Sequence, residues 1–147
     1  MTDGARKRRL EAMAAAEGDW LAARAAALGG RPPSQPIRGP ETGMVMLRGR
    51  IGGSGAPFNL GEATVSRASV RLADGAIGHA AVLGRDMAKA ALIAELDALA
   101  QSADWAARIE AEIVAPALAR SAERHSRQAE EAQATRVNFF TLARGEG

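Results

Sequence analysis

The pair Asp74-Gly75, set between two runs that alternate apolar and polar residues, most narrows what this chain can fold into. A two-residue type I′ turn needs positive φ at both central positions, which Asp-Gly supplies, so the flanking runs are expected as antiparallel neighbours. The upstream run, residues 62–72 ("EATVSRASVRL"), puts Ala68, Val70 and Leu72 on one side and Val65, Arg67 and Arg71 on the other. With Asp74 and Gly75 as the whole loop, Leu72 faces Ile77, Val70 faces His79 and Ala68 faces Ala81. Arg71, Ser69 and Arg67 then face Gly78, Ala80 and Val82. This register predicts one apolar face, with His79 as a hydrogen-bonded core histidine, and one face of arginines beside small residues.

A further strand is expected over residues 43–51, "GMVMLRGRI", with Val45, Leu47 and Ile51 on one side and Met44, Met46, Arg48 and Arg50 on the other. If it joins in matching phase, Arg48 and Arg50 extend the arginine face. Two readings of that face stand. It is a solvated outer surface, or it is a groove, open above Gly78 and Ala80, for an anionic ligand or an acidic partner segment.

The rest of the chain reads as helix. Residues 5–17 carry good helix formers, Gly18 interrupts them, and Asp19 can cap a short helix with Trp20, Leu21 and Leu28 on its apolar side, closed by Gly29 and Gly30. "RPPSQPIRGPE", residues 31–41, is read as an extended or looped connector because of its prolines. Asp86 can cap a helix over 87–101 whose Leu92, Leu96 and Leu99 are expected to cover the apolar sheet face. Another helix starts near Asp104 with Trp105, Ile109 and Ile113 in step, and Pro116 should bend or restart it. Residues 120–136 are charged and look like an arm, and "VNFFTL" at 137–142 either docks on a partner or folds back on the core. The expected fold is α+β in a single domain over 1–147: N-terminal helices (1–30), a small antiparallel sheet of three to four strands with its covering helix (41–101), and C-terminal helices ending in an extended arm (104–147).

Composition removes several function classes. The chain has 147 residues, no cysteine and only two histidines, His79 and His125, far apart in sequence, so thiolate chemistry and local metal-ligand spacing are excluded. No apolar run approaches a membrane span, and the basic start "RKRRL" is followed by Glu11, Glu17 and Asp19 rather than a signal-peptide core, so a cytoplasmic protein is expected. Tyrosine is absent, and Trp20, Trp105, Phe58, Phe139 and Phe140 are too scattered for base stacking; no nucleic-acid partner is expected. Lys7 and Lys89 are the only lysines, and the arginine bias suits carboxylate or phosphate contacts, or reflects a GC-rich coding sequence.

The glycine-rich stretch "RGRIGGSGAPFNLGEATVSR" (48–67) departs from the phosphate-loop patterns. Gly53-Ser54-Gly55 opens like G-x-G-x-x-G, but Phe58 holds the third glycine position, a strand follows, and no G-K-[ST] occurs. Its amides form an anion nest, or its glycines serve to turn the chain and admit another backbone. Glu41, Glu62 and His79 are the local acid–base candidates, and no nucleophile with base and orienting group is seen.

Three segments, "ETGMVMLRGRIGGSGAPFNLGEATVSRASVRLADGAIGHAAVLGRD", "ALIAELDALAQ" and "SRQAEEAQATRVNFFTLARG", together resemble the G subunit of the bacterial carbon-phosphorus lyase system. The resemblance implies a subunit of a core complex with the H, I and J subunits, present in two copies, with G and I forming a symmetric centre. It further implies that the I subunit, helped by G, H and an ATPase-like L subunit, displaces adenine from ATP with methylphosphonate to give α-D-ribose 1-methylphosphonate 5-triphosphate. The J subunit then cleaves the carbon-phosphorus bond with an iron-sulfur cluster, for which this chain has no cysteines. On this resemblance the chain is an accessory subunit without catalytic residues, metal or cofactor of its own, with ATP and methylphosphonate as substrates of the complex. Met44, Met46, Arg48, Arg136, Phe139 and Phe140 are its expected partner-binding residues. The alternative is that Arg50, Arg67 and Arg71 contribute directly to a shared triphosphate or phosphonate site.

Overall fold

The computed structural model describes the backbone of residues 3–145 and, except at position 51 and from position 136 onward, their side chains. Helices α1 (Asp3–Ala15) and α2 (Gly18–Leu28) lead into β1 (Ser34–Arg50), a 3-10 turn (Ile51–Gly53), β2 (Pro57–Leu72) and β3 (Ile77–Leu83). Helices α3 (Met87–Leu99) and α4 (Ala103–Ile109), a π-helical turn (Glu110–Val114) and α5 (Ala115–Gly145) complete the chain. The three strands form one antiparallel sheet in the order β1-β2-β3, so the α+β expectation holds.

The β2–β3 hairpin differs from the expected register by one residue. Its loop is Ala73-Asp74-Gly75: Gly75 donates to Leu72 O at 3.0 Å, and Leu72 donates to Ala76 O at 2.9 Å. Gly75 carries the single positive φ of the loop, 92°, and the Asp74 carboxylate accepts from the Ala76 amide at 2.9 Å. This is a type I turn closed by a glycine bulge, the common three-residue hairpin. Because strand side chains alternate, the slip turns all of β3 over. Val82, expected on the arginine face, is buried in the core, while His79 moves to the exposed face opposite Ser69. The result buries an aliphatic side chain in place of a titratable one.

Strand β1 begins at Ser34, so much of the expected connector pairs with β2. Pro36 and Pro40 are tolerated because β1 is an edge strand, and the register shifts between Pro36 and Arg38 and between Arg38 and Glu41 absorb the missing donors.

Helix α3 is buried on nearly every side, and its alanines, not its leucines, meet the sheet. A Cβ added at Gly78 of β3 would lie 1.9 Å from Ala94 O and 2.9 Å from Ala98 Cβ, so the helix backbone rests on that glycine. At 100° per residue, Leu92, Leu96 and Leu99 point away from Ala94 and Ala98, toward α1, α2 and α4. The groove expected above Gly78 and Ala80 is therefore filled by α3. The molecule has three layers, sheet, α3 and helices, and Met13, Leu21, Ile93, Leu96, Leu99, Ile109, Ile113 and Val114 are its largest fully buried apolar side chains.

Polar contacts lock the layers together. Asp97 of α3 is 2% exposed and accepts from Arg6 Nε (3.0 Å) and Nη2 (2.7 Å) of α1 and from the His79 amide of β3 (2.9 Å). One turn on, Gln101 donates to Ile77 O at 2.6 Å. Both occupy backbone groups that β3, as an edge strand, cannot pair within the sheet. Ser66, fully buried on β2, donates to Gly84 O (2.7 Å) and accepts from the Asp86 amide (3.0 Å), and Asp86 in turn caps α3 through the Lys89 amide (3.1 Å).

At Pro116 the helix neither stops nor runs on as regular α-helix, since α5 resumes at Ala115 after a π-helical turn. That turn, in which Ala115 donates to Glu110 O, carries the helix through. The start of α5 is tied to the α1–α2 corner by Arg120 and Arg124, each 3.4 Å from Glu17 Oε1, and by Arg120 stacked over Trp20. From His125 to Thr135 every described side chain is exposed.

Candidate functional site

Strand β3 ends at Leu83, opposite Val65, whereas β1 and β2 continue together to Arg50 and Pro57. Beyond Val65 the sheet is therefore a two-stranded ribbon, Met44–Arg50 against Pro57–Thr64. Between the strands expected over 43–51 and 62–72 the chain is largely strand: Pro57, Phe58 and Asn59 pair with β1, and only residues 51–56 turn. Gly52 (φ 64°) and Gly53 (φ 78°) make that turn.

Both faces of the ribbon are open and carry exposed apolar side chains, mixed on one face with Glu62, Arg48 and Arg50. Met44 (64% exposed) and Met46 (54%), opposite Thr64 and Glu62, continue the face that α3 covers lower down. Leu47, Phe58 and Leu60 lie on the other face, where Leu60 and Phe58 fold over Gly49; a Cβ there would sit 2.8 Å from Leu60 Cδ1. The register shift after Leu47 leaves Leu60 as the extra residue. A two-stranded ribbon has too little buried surface to be stable by itself, so exposed methionine, leucine and phenylalanine on both faces point to a partner. Phe58 and Leu60 went unrecognised in the sequence, although the alternation F-N-L between Pro57 and Gly61 carries a strand signal.

The expected arginine set is divided. Arg67 and Arg71 share the outer sheet face, but Arg48 and Arg50 extend the opposite, helix-side face with the methionines. Arg67 pairs with Glu41, and the run from Glu41 to Arg50 spans roughly 30 Å at strand rise. Arg50 therefore cannot act on one small anion with Arg67 and Arg71. The register brings others to that face instead: Arg38, Ser69 and His79 form one row across β1, β2 and β3, between the rows of Arg67 and Arg71. Ser69 Oγ and His79 Nδ1 are 2.7 Å apart. Glu41 Oε1 lies 3.0 Å from Arg38 Nε and 3.8 Å from Arg67 Nη2. A three-residue reading of the Ala73-Asp74-Gly75 loop is the sequence signal that finds the Ser69–His79 pair.

Glu41 and Glu62 are on opposite faces, so the acid–base candidates are not assembled. The displaced ionisations lie elsewhere: the Asp97 hydrogen bond holds the Arg6 guanidinium above its ordinary range, and burial pulls Lys89 below its own. Lys89 Nζ donates to Ala14 O at 2.6 Å, which makes it a tie between α3 and α1. Among the described residues no group of three or more His, Asp or Glu could hold a metal ion. No helix among the described residues is long and apolar enough to cross a membrane. A cleft of about 370 Å³ lies between α3 and the first half of β1, where Arg31 and Glu95 pair at 3.1 Å beside Pro36, Val70 and Ala91. Arg136, Phe139 and Phe140 have side chains outside the described residues.

Compared with known proteins, residues 4–145 match the family model described as phosphonate metabolism protein PhnG. The chain belongs to the PhnG family. A relative from Rhizobium meliloti (strain 1021), named alpha-D-ribose 1-methylphosphonate 5-triphosphate synthase subunit PhnG, is 56% identical over 120 residues, which cover 82% of this chain and 76% of that protein.

Proposed function

We propose that this chain is an accessory subunit of an α-D-ribose 1-methylphosphonate 5-triphosphate synthase, and that the β1–β2 ribbon docks it onto a sister subunit. The observation that carries this reading is the ribbon itself, uncovered and with exposed methionine, leucine and phenylalanine distributed over both faces, on a PhnG-family chain whose relative is named a synthase subunit. Met44, Met46 and Arg48 belong to that docking surface, and the C-terminal residues Arg136, Phe139 and Phe140 form a second one. The partners are the H, I and J subunits in an assembly with two copies of this chain, which depends on the L subunit and acts in the cytoplasm. There the complex replaces the adenine of ATP by methylphosphonate; this single-domain chain supplies no cofactor or metal. The test is co-expression with the H, I and J subunits. The double variant Met44→Glu/Met46→Glu should fold but fail to co-purify with them, and an intact complex containing it would overturn the docking role.

A second reading rests on the shared outer face of Arg67 and Arg71: these two, without Arg50, contribute charge to a substrate phosphonate or triphosphate. Adenine release by the assembled complex tests it, since Arg67→Ala/Arg71→Ala in an intact complex should slow turnover.

A further inference from the structure

The geometry points to an oxyanion-binding site on the outer sheet face, built from Arg38, Arg67, Ser69, Arg71 and His79, that takes a phosphoryl or phosphonate group. The inference deepens the second reading above and rests on it for the ligand class. Ser69 stands at the centre. Arg38 and His79 are its cross-strand neighbours, and Arg67 and Arg71 flank it on β2, each roughly 7 Å away at strand spacing, within reach of an arginine side chain. The face carries three arginines and one carboxylate, Glu41, which lies 3.0 Å from Arg38 and 3.8 Å from Arg67 and holds both over the same patch. That pairing is on the surface, with Arg67 48% and Glu41 43% exposed, so it is weak and an anion competes with it easily. Among the described residues Arg71 has no carboxylate partner.

The Ser69–His79 contact supplies the direction. If Ser69 donates to Nδ1, the other ring nitrogen carries the proton and is a free donor. If Nδ1 donates to Ser69, the hydroxyl hydrogen is free. Either tautomer leaves one neutral donor on this face. A neutral donor on a face whose flanking positions carry three arginines matches a tetrahedral oxyanion, which offers acceptors in several directions from one centre, better than the two coplanar oxygens of a peptide carboxylate.

The chain has only two histidines, so its ring proton signals give a direct readout, with His125 on exposed α5 as internal reference. The full chain is titrated by NMR at constant pH and ionic strength with inorganic phosphate, then methylphosphonate, then sodium chloride, then a hexaglutamate peptide. The expected result is a saturable shift of the His79 signals alone with phosphate or methylphosphonate. Tighter binding of methylphosphonate identifies a substrate phosphonate as the source, and equal binding identifies a general phosphoryl site. Arg67→Ala/Arg71→Ala should weaken it at least about tenfold, while Arg127→Ala, an exposed arginine of α5, leaves it unchanged. A second readout, His79→Gln followed by isothermal titration, should keep the fold and weaken binding. A shift that does not saturate, one reproduced by chloride, or one indifferent to the double arginine variant overturns the site. Saturation by hexaglutamate but not by phosphate also overturns it and makes the face a dock for an acidic segment. Because this readout needs no partner subunit, its failure is separable from a failure of assembly or turnover.

Discussion

Removing Arg6 should destabilise the protein far more than its position on a partly exposed helix would indicate. Arg6 lies on α1 with 37% of its side chain exposed, yet it supplies two of the three hydrogen bonds described for Asp97, which is 2% exposed. In Arg6→Ala the carboxylate stays buried with the His79 amide as its remaining described donor. Stranding one member of a buried ion pair costs 3–5 kcal/mol, and because the Arg6 end reaches water the lower figure, about 3 kcal/mol, is expected. In a chain of this size that lowers the melting temperature by roughly 6–12 °C. The decisive variant is Arg6→Ala/Asp97→Asn. The asparagine oxygen still accepts from the His79 amide, but no charge is left stranded, so adding the second substitution should recover about 1.5 kcal/mol. Urea unfolding of the full-length variants, followed by circular dichroism at 222 nm, measures each corner of the cycle. If Arg6→Ala costs less than about 1 kcal/mol, or if Asp97→Asn makes it worse, the pair is not what fixes α1 to α3.

Three further outcomes follow from the packing. Gly78→Ala puts a methyl group into the backbone of α3 and should leave little soluble folded protein, or cost about 3 kcal/mol or more by urea unfolding. Arg108→Ala removes a guanidinium that donates to the carbonyls of Leu28 and Gly29 at the end of α2 and stacks 4.3 Å over Trp105; a loss of about 1 kcal/mol is expected in thermal melts. Deleting residues 136–147 should abolish co-purification with the sister subunits; a complex that still purifies removes the C-terminal docking role.

The parts of the fold legible in the sequence were those set by local chemistry. Asp74-Gly75 marks a hairpin, Asp86 caps α3, and the alternation around Ala68, Val70 and Leu72 finds the buried face. The missed parts were decided between elements. Nothing local distinguishes a two-residue loop from the three-residue loop with Gly75 in the positive-φ position. The choice was made by burying Val82 and leaving His79 in solvent, and it reassigned the whole outer face. The spacing of the α3 leucines predicts that they cover the sheet, because leucine usually covers apolar surface. Gly78 lets the backbone come so close that only Ala94 and Ala98 fit, and the leucines turn to the other layer. The prolines of residues 31–41 read as a connector because edge-strand status is invisible without the partner strand. The split between Arg50 and Arg67 followed from the same cause: Glu41 pairs with Arg67, and regular alternation from Glu41 then turns Arg48 and Arg50 to the opposite face, a phase that only the partner strand defines.

Helix α3 has the sheet on one side and the helical layer on the other, so neither layer can open without exposing it. In terms of time rather than energy, the amides of Ile93–Leu99 can meet solvent only when the whole molecule unfolds, whereas those of the ribbon, held by one strand pairing, are free to exchange far more often. The chain thus keeps two clocks. The slow one belongs to the core around α3 and the fast one to the projecting ribbon, and slowing of ribbon exchange on assembly is the expected mark of the docking proposed above.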